Sequence, residues 1–284
     1  MPAPHPHLRS SEVFLRLKIS TPPTRHRPCT QPRSRPASRS RAMPDPKLHI
    51  PAHPYAWPHD GDLASSTALV IIDMQNEVCT STGYLAHQGY PIFPMRAPIP
   101  HIARLLSLWR SKGWPVYHTR EGHRADLSDC TPRELFRSRR NPSGLGIGDA
   151  GPMGRLLIRG EAGHDIIPEL YPWFGEPVID KPGRSAFANT DFELLLRIRG
   201  VTKLVIVGVT TDVCVHTTMR DADDRGIECL LVREACAAAV EELGQAALDM
   251  VACEGGIFGA VAGIEDVMSV LREGGDEVAE VGGL

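Results

Sequence analysis

No run of apolar residues in this 284-residue chain approaches the roughly 20 needed to span a bilayer, so a membrane is not an expected partner. No CxxC pair occurs among the cysteines, and their number, seven, is odd. A zinc ribbon or a disulfide framework is therefore not expected, and a reducing, cytoplasmic compartment is. Charge of one sign is not in excess either. A formal net charge of −3 gives no electrostatic reason to expect nucleic acid. No glycine-rich phosphate loop follows the first strand-like stretch, which removes support for a nucleotide site.

What the chain does have is 42% hydrophobic residues, enough for an α/β domain with additional segments. Residues 1–50 include "TPPTRHRPCTQPRSRPASRSRAMPDPK", rich in Arg, Pro and Ser and nearly free of acids. Such a segment cannot bury enough apolar surface to offset its ordering entropy, so it is expected to be disordered. An organellar targeting segment is the alternative, being Arg- and Ser-rich, but the prolines oppose its usual amphipathic helix. Residues 273–284 read as a flexible tail, leaving 54–272 as the folded domain.

Within that domain, apolar runs alternate with helix-period stretches. "TALVIID" (67–73), "PVYHTRE" (115–121), "EPVIDKP" (176–182), "TKLVIVGV" (202–209) and "IECLLVRE" (227–234) read as strands. Residues 99–113, 191–200, 212–226 and 242–256 read as helices, the first three ending at a glycine. Short strands buried on both faces, alternating with helices, predict a parallel sheet covered on both sides.

In such sheets ligands sit beyond the carboxyl ends of the strands. Asp73 closes the first strand, Arg120 and Glu121 the second, and Asp180 and Lys181 the third, while Cys214 opens the helix after the fourth. A thiol attacks a carbonyl as thiolate, and Asp73 could take its proton and return it to a leaving amine. Lys181 could stabilise both anions. The Cys214 amide, at a helix start, is a natural oxyanion donor. Each residue also has an ordinary use: Asp73 in a turn, Lys181 as a solvated lysine, Cys214 as a small buried hydrophobe. Their convergence on one sheet edge argues against all three ordinary uses holding at once.

"ALVIIDMQ", "DKPGRSAF" and "GVTTDVCVHTTMRDADDRG" resemble the signature blocks of the isochorismatase-like cysteine hydrolases. "HTREGHRADLSD", "GIGDAGPMGRLLIRGEAGHDIIPELYP" and "CEGGIFG" resemble the biuret amidohydrolase branch. The resemblance implies a Rossmann-like three-layer sandwich with a six-stranded parallel sheet, in a homotetramer. It also implies Cys214 as nucleophile, Asp73 as acid/base and Lys181 as orienting cation. A cis peptide between Val209 and Thr210 is implied too, with the amides of Thr210 and Cys214 forming the oxyanion hole. The Asp/His cluster of zinc-binding relatives has no counterpart, so neither metal nor cofactor is expected. Two positions depart from the branch, Glu254 standing for a glutamine and Val78 for a phenylalanine. With Arg120 they are the expected substrate contacts. Glu254 calls for a donor-rich or cationic distal end on the substrate, unless burial holds it protonated; the plainer alternative is that it turns outward and only shape matters.

The expected activity is cysteine-dependent hydrolysis of a C–N bond in a small linear ureide. With biuret the products are allophanate and ammonia, through an acyl-cysteine. Triuret, ureidoacrylate or an N-carbamoyl amino acid are alternatives, and a non-catalytic small-molecule binding protein is a rival of another class. A catalytic Cys214 is expected to be alkylated faster than the other six cysteines near neutral pH.

Overall fold

The computed structural model describes residues 48–63 and 66–273. The expectations for the Arg/Pro/Ser-rich stretch before residue 48 and for the tail after 273 lie outside the described residues. Six strands form one sheet: β1 (Thr67–Ile72), β2 (Val116–Glu121), β3 (Val178–Lys181), β4 (Lys203–Val209), β5 (Glu228–Ala237) and β6 (Ala260–Ala262). Their spatial order is β3-β2-β1-β4-β5-β6, and every pairing is parallel. The expected six-stranded parallel α/β architecture is therefore the observed one.

Among the described residues, six helices of seven residues or more accompany the sheet: α1 (Ile99–Ser111), α2 (Pro132–Ser138), α3 (Phe192–Ile198), α4 (His216–Asp223), α5 (Glu241–Ala252) and α6 (Ile264–Glu273). In α1 the buried residues Ile99, Ile102, Leu105, Leu106 and Trp109 recur at helical spacing and form one apolar stripe. The helix stops before Gly113, whose φ of 65° is the left-handed conformation that ends helices. This stripe and that of α6 pack on one face of the sheet, against Leu69, Ile71, Val205 and Val207. Helices α3, α4 and α5 pack on the other, against Val70, Ile72, Leu204 and Ile206. All residues of β1 and β4 are buried, which is why their sequences run apolar without alternation. Each buried Val, Leu or Ile contributes roughly 1.5–3 kcal/mol relative to exposure.

The folded part starts earlier than composition indicated. Ile50 is fully buried and exchanges backbone hydrogen bonds with Trp57, at 2.6 and 3.0 Å. His53 does the same with Val261, at 2.9 and 2.8 Å. The apolar pair Ile50 and Trp57 secures residues that the proline-rich surroundings had assigned to a disordered segment.

Candidate active site

The strand order reverses direction between β1 and β4, because β1 leads to β2 on one side while β4 lies on the other. The crevice at such a switch point is where open α/β sheets bind ligands. The two strands approach closely there. A Cβ on Gly208 would collide with the Ile72 carbonyl, and the glycine has φ 114°. The peptide bond that follows, Val209–Thr210, is cis.

Parity along the strands decides which residues enter the crevice. Successive strand residues point to opposite faces, and Glu121 is the register partner of Lys181, Arg120 that of Asp180. Glu121 and Lys181 therefore share the face that meets Cys214. Arg120 and Asp180 share the other, where the Arg120 guanidinium binds both Asp180 oxygens at 2.8 and 3.1 Å and Asp165 at 3.0 Å. Arg120 does not line the cavity above Cys214. This corrects the expectation of a substrate contact there: its charge is satisfied on the far side of the strand pair.

Lys181 is fully buried, which excludes the solvated reading. Its Nζ lies 2.7 Å from Asp73 Oδ2 and donates to the Gly183 carbonyl at 2.9 Å and to Cys214 Sγ at 3.4 Å. Thr119 Oγ1 donates to Asp73 Oδ1 at 2.6 Å, fixing the carboxylate from the other side. Asp73 itself takes φ 49°, an uncommon conformation for a residue other than glycine. Cys214 sits in a wide turn over Thr211–Val215, ahead of α4, closed by a Val215 N–H to Thr210 carbonyl bond of 3.2 Å. The helix expected to begin at residue 212 thus opens with a π-type turn, and the thiol lies within it.

The cluster is electrostatically tight. Burial pushes the Cys214 thiol well up; Lys181 pulls it down, and Asp73 and Glu121 push it up again. Burial also raises Asp73 above the usual carboxylate range, against the attraction of Lys181. Burial acts to lower the Lys181 ammonium, but Asp73, Cys214 and Glu121 together outweigh it and hold the ammonium above its ordinary value. Asp73, Glu121 and Cys214 each offer a ligand atom within 4.8 Å of the others. Lys181 Nζ already stands among these three acceptors as their cation. His118 and His123 belong elsewhere, paired with Glu176 and Asp129 at 3.1 and 3.3 Å.

Above the cluster opens a cavity of about 540 Å³. Asp73, Val78, Val209, Thr210 and Cys214 line it, and so does Glu121. Its wall also carries Tyr84, Gln88, Arg137, Arg140, Asn141 and Arg184. The Tyr84 hydroxyl is buried without a hydrogen-bond partner. Behind the wall Glu134 pairs with both Arg137 and Arg184. Burial works against that carboxylate, yet hydrogen bonds from the two guanidiniums hold it down at about 2. Arg140 stacks over Phe136 at 5.3 Å and forms no ion pair among the described residues.

Glu254 is not part of this wall. It is exposed, at φ 52°, in the turn of Cys253–Gly255, outside the cavity lining. This corrects the expected substrate contact within this chain: the left-handed turn leaves the carboxylate in solvent. Arg137 and Arg140 of the wall were missed from sequence, as was Arg184 within "DKPGRSAF". The signal for Arg137 and Arg140 was "TPRELFRSRR", in which Thr131 caps α2 by accepting from the Glu134 N–H at 3.2 Å.

Residues 67–266 match the isochorismatase domain profile. The chain belongs to the isochorismatase family. Among curated proteins it is similar to ureidoacrylate amidohydrolase RutB of Serratia proteamaculans (strain 568). That match is 33% identical over 183 residues, covering 61% of this chain and 69% of that one. It is also 32% identical over 170 residues to the RutB of Pantoea ananatis (strain LMG 20103), covering 57% of this chain. There the matched region spans 65% of the relative, just under two thirds of its length. Among solved structures, an isochorismatase family protein from Desulfovibrio vulgaris superposes with a TM-score of 0.59 at 28% identity. It covers 73% of this chain and 98% of its own. Family membership accounts for the six-stranded parallel sheet.

Proposed function

We propose that this isochorismatase-family chain is a thiol-dependent amidohydrolase that cleaves a C–N bond of a small linear ureide. The observation that carries the reading is the contact set of Cys214 Sγ, Lys181 Nζ and Asp73 Oδ2 at the floor of an open cavity. In this reading Asp73 takes the thiol proton as Sγ attacks the carbonyl carbon, and gives it to the departing nitrogen. Lys181 stabilises whichever of the two groups is anionic. The amides of Thr210 and Cys214 receive the oxyanion. Water then cleaves the acyl-cysteine, with Asp73 as base.

The ureide class is supported by relatives named ureidoacrylate amidohydrolase. Biuret is one candidate substrate, and a ureide ending in a carboxylate is another. The wall of Arg137, Arg140 and Arg184 favours the second. The Arg140 guanidinium, free of ion pairs among the described residues, matches an anionic distal end and gives no advantage to a neutral one. This replaces the cationic distal end that Glu254 had called for.

The test is ammonia and amine release from biuret, triuret and N-carbamoyl-β-alanine. Wild type is compared with Cys214→Ala and Cys214→Ser, with circular dichroism as fold control. Turnover of at least one ureide, lost in both variants, is the expected result. Substantial residual release from both variants ends the nucleophile assignment.

A further inference from the structure

The proposed chemistry leaves Glu121 without a task, although its Oε2 lies 3.4 Å from Cys214 Sγ. The carboxylate stands between two cations, 3.7 Å from Lys181 Nζ and 3.7 Å from Arg184 Nη1. It faces the cavity with its side chain 15% exposed. A negative group so close to the attacked carbonyl opposes formation of an oxyanion. An ionised carboxylate accepts hydrogen bonds and donates none, so what compensates it must bring an N–H or O–H.

A ureide brings one. Its carbonyl carbon carries two nitrogens; one departs with the proton from Asp73, and the other stays. Once the carbon is bonded to sulfur, rotation about the S–C bond can bring the remaining nitrogen within hydrogen-bond reach, about 2.7–3.2 Å, of an oxygen that lies so near that sulfur. A simple amide or ester presents carbon at this point and brings the carboxylate no donor of its own.

We infer that Glu121 is the specificity-determining residue that accepts the N–H of the second nitrogen of a ureide, selecting carbonyls flanked by two nitrogens over simple amides. The inference rests on the ureide reading above. A site that hydrogen-bonds a substrate N–H disfavours the analogue that lacks it, because the carboxylate oxygen then loses water on that side and gains no donor in exchange.

Binding to the inactive Cys214→Ser protein separates the two ideas. Calorimetry compares N-carbamoyl-β-alanine with two isosteres. Glutaramate replaces the internal N–H by CH2, and N-acetyl-β-alanine replaces the terminal NH2 by CH3. Wild-type Glu121 should favour the ureide over at least one isostere by about tenfold to a hundredfold, the scale of a hydrogen bond to a charged group. Glu121→Gln in the same background should erase most of that preference and change isostere affinity less than threefold. An equal fall for all three ligands, or an unchanged preference, overturns the inference while the ureide reading stands. Failure of the ureide to bind the Cys214→Ser protein overturns both. Should Glu121→Gln not fold, Glu121→Asp withdraws the charge by one methylene and carries the same expectation.

Discussion

The side-chain amide of Gln75 holds both backbone polar groups of Glu121. Gln75 Oε1 accepts the Glu121 N–H at 2.7 Å, and Nε2 donates to the Glu121 carbonyl at 3.0 Å. Gln75 is fully buried, and Nε2 also reaches the His164 carbonyl at 2.9 Å. The end of β2 is thus tied to the residue two positions past Asp73, which sets the carboxylates of Asp73 and Glu121 around one thiol. Gln75→Leu keeps the volume and removes three hydrogen bonds. Each buried group left unpaired costs about 1–3 kcal/mol. Urea unfolding should show a loss on that scale, and the preference for ureide over isostere should fall with it. Unchanged stability would show that water replaces the amide.

Asp73→Asn should separate proton transfer from thiol acidity. The Asp73 carboxylate helps hold the Cys214 thiol up, after burial. A neutral amide removes that push and leaves Lys181 free to attract the thiolate. Turnover should collapse, while iodoacetamide should modify Cys214 faster than in wild type at the same pH. Cys253 is exposed and serves as internal reference in a mass-spectrometric time course. In the wild type Cys253 should react before Cys214, reversing the ranking expected from sequence, because Cys214 is only 6% exposed and burial pushes its thiol well up. Slower labelling of Cys214 in Asp73→Asn would remove the electrostatic account.

The acid limb of the pH profile follows from Asp73. Burial raises its carboxyl, so the protonated, inactive form persists to higher pH than for a free side chain. kcat/KM should therefore fall, as pH is lowered, at a midpoint above the ordinary aspartate value of about 3.9. Lys181→Met removes the attraction that opposes burial, so whatever activity remains should have its limb displaced upward. The same change leaves a buried carboxylate unpaired and should destabilise by about 3–5 kcal/mol in thermal or urea unfolding. A limb displaced downward would contradict the sign of the Lys181 effect.

Arg140 tests the distal end of the substrate. It is exposed, so its pairing with a substrate carboxylate is screened and modest. Arg140→Ala should raise KM for N-carbamoyl-β-alanine by about two- to fivefold and leave biuret unaffected, a contribution of up to roughly 1 kcal/mol. Equal effects on both substrates would remove the carboxylate contact.

Strand and helix positions were legible because burial on both faces makes β1 and β4 continuous apolar runs, and because α1, α3 and α4 stop at glycines. The strand-end rule alone brings Asp73, Lys181 and Cys214 to one edge of the sheet. Helices α2 and α6 were not read, although Thr131-Pro132 and the apolar spacing of residues 264–271 carried their signals.

By itself the sequence determined the α/β class, the alternation of elements and the set of chemical groups at the strand ends, since periodicity and residue type are local properties. Only the tertiary structure decided that Glu121 enters the site while Arg120 leaves it, that Arg137 of α2 and Arg140 just after it join the wall, and that Glu254 stands in solvent. Those outcomes depend on strand register and on the packing of segments far apart in the chain. A shift of one residue in the pairing of β2 with β3 would exchange the two faces and every charge on them.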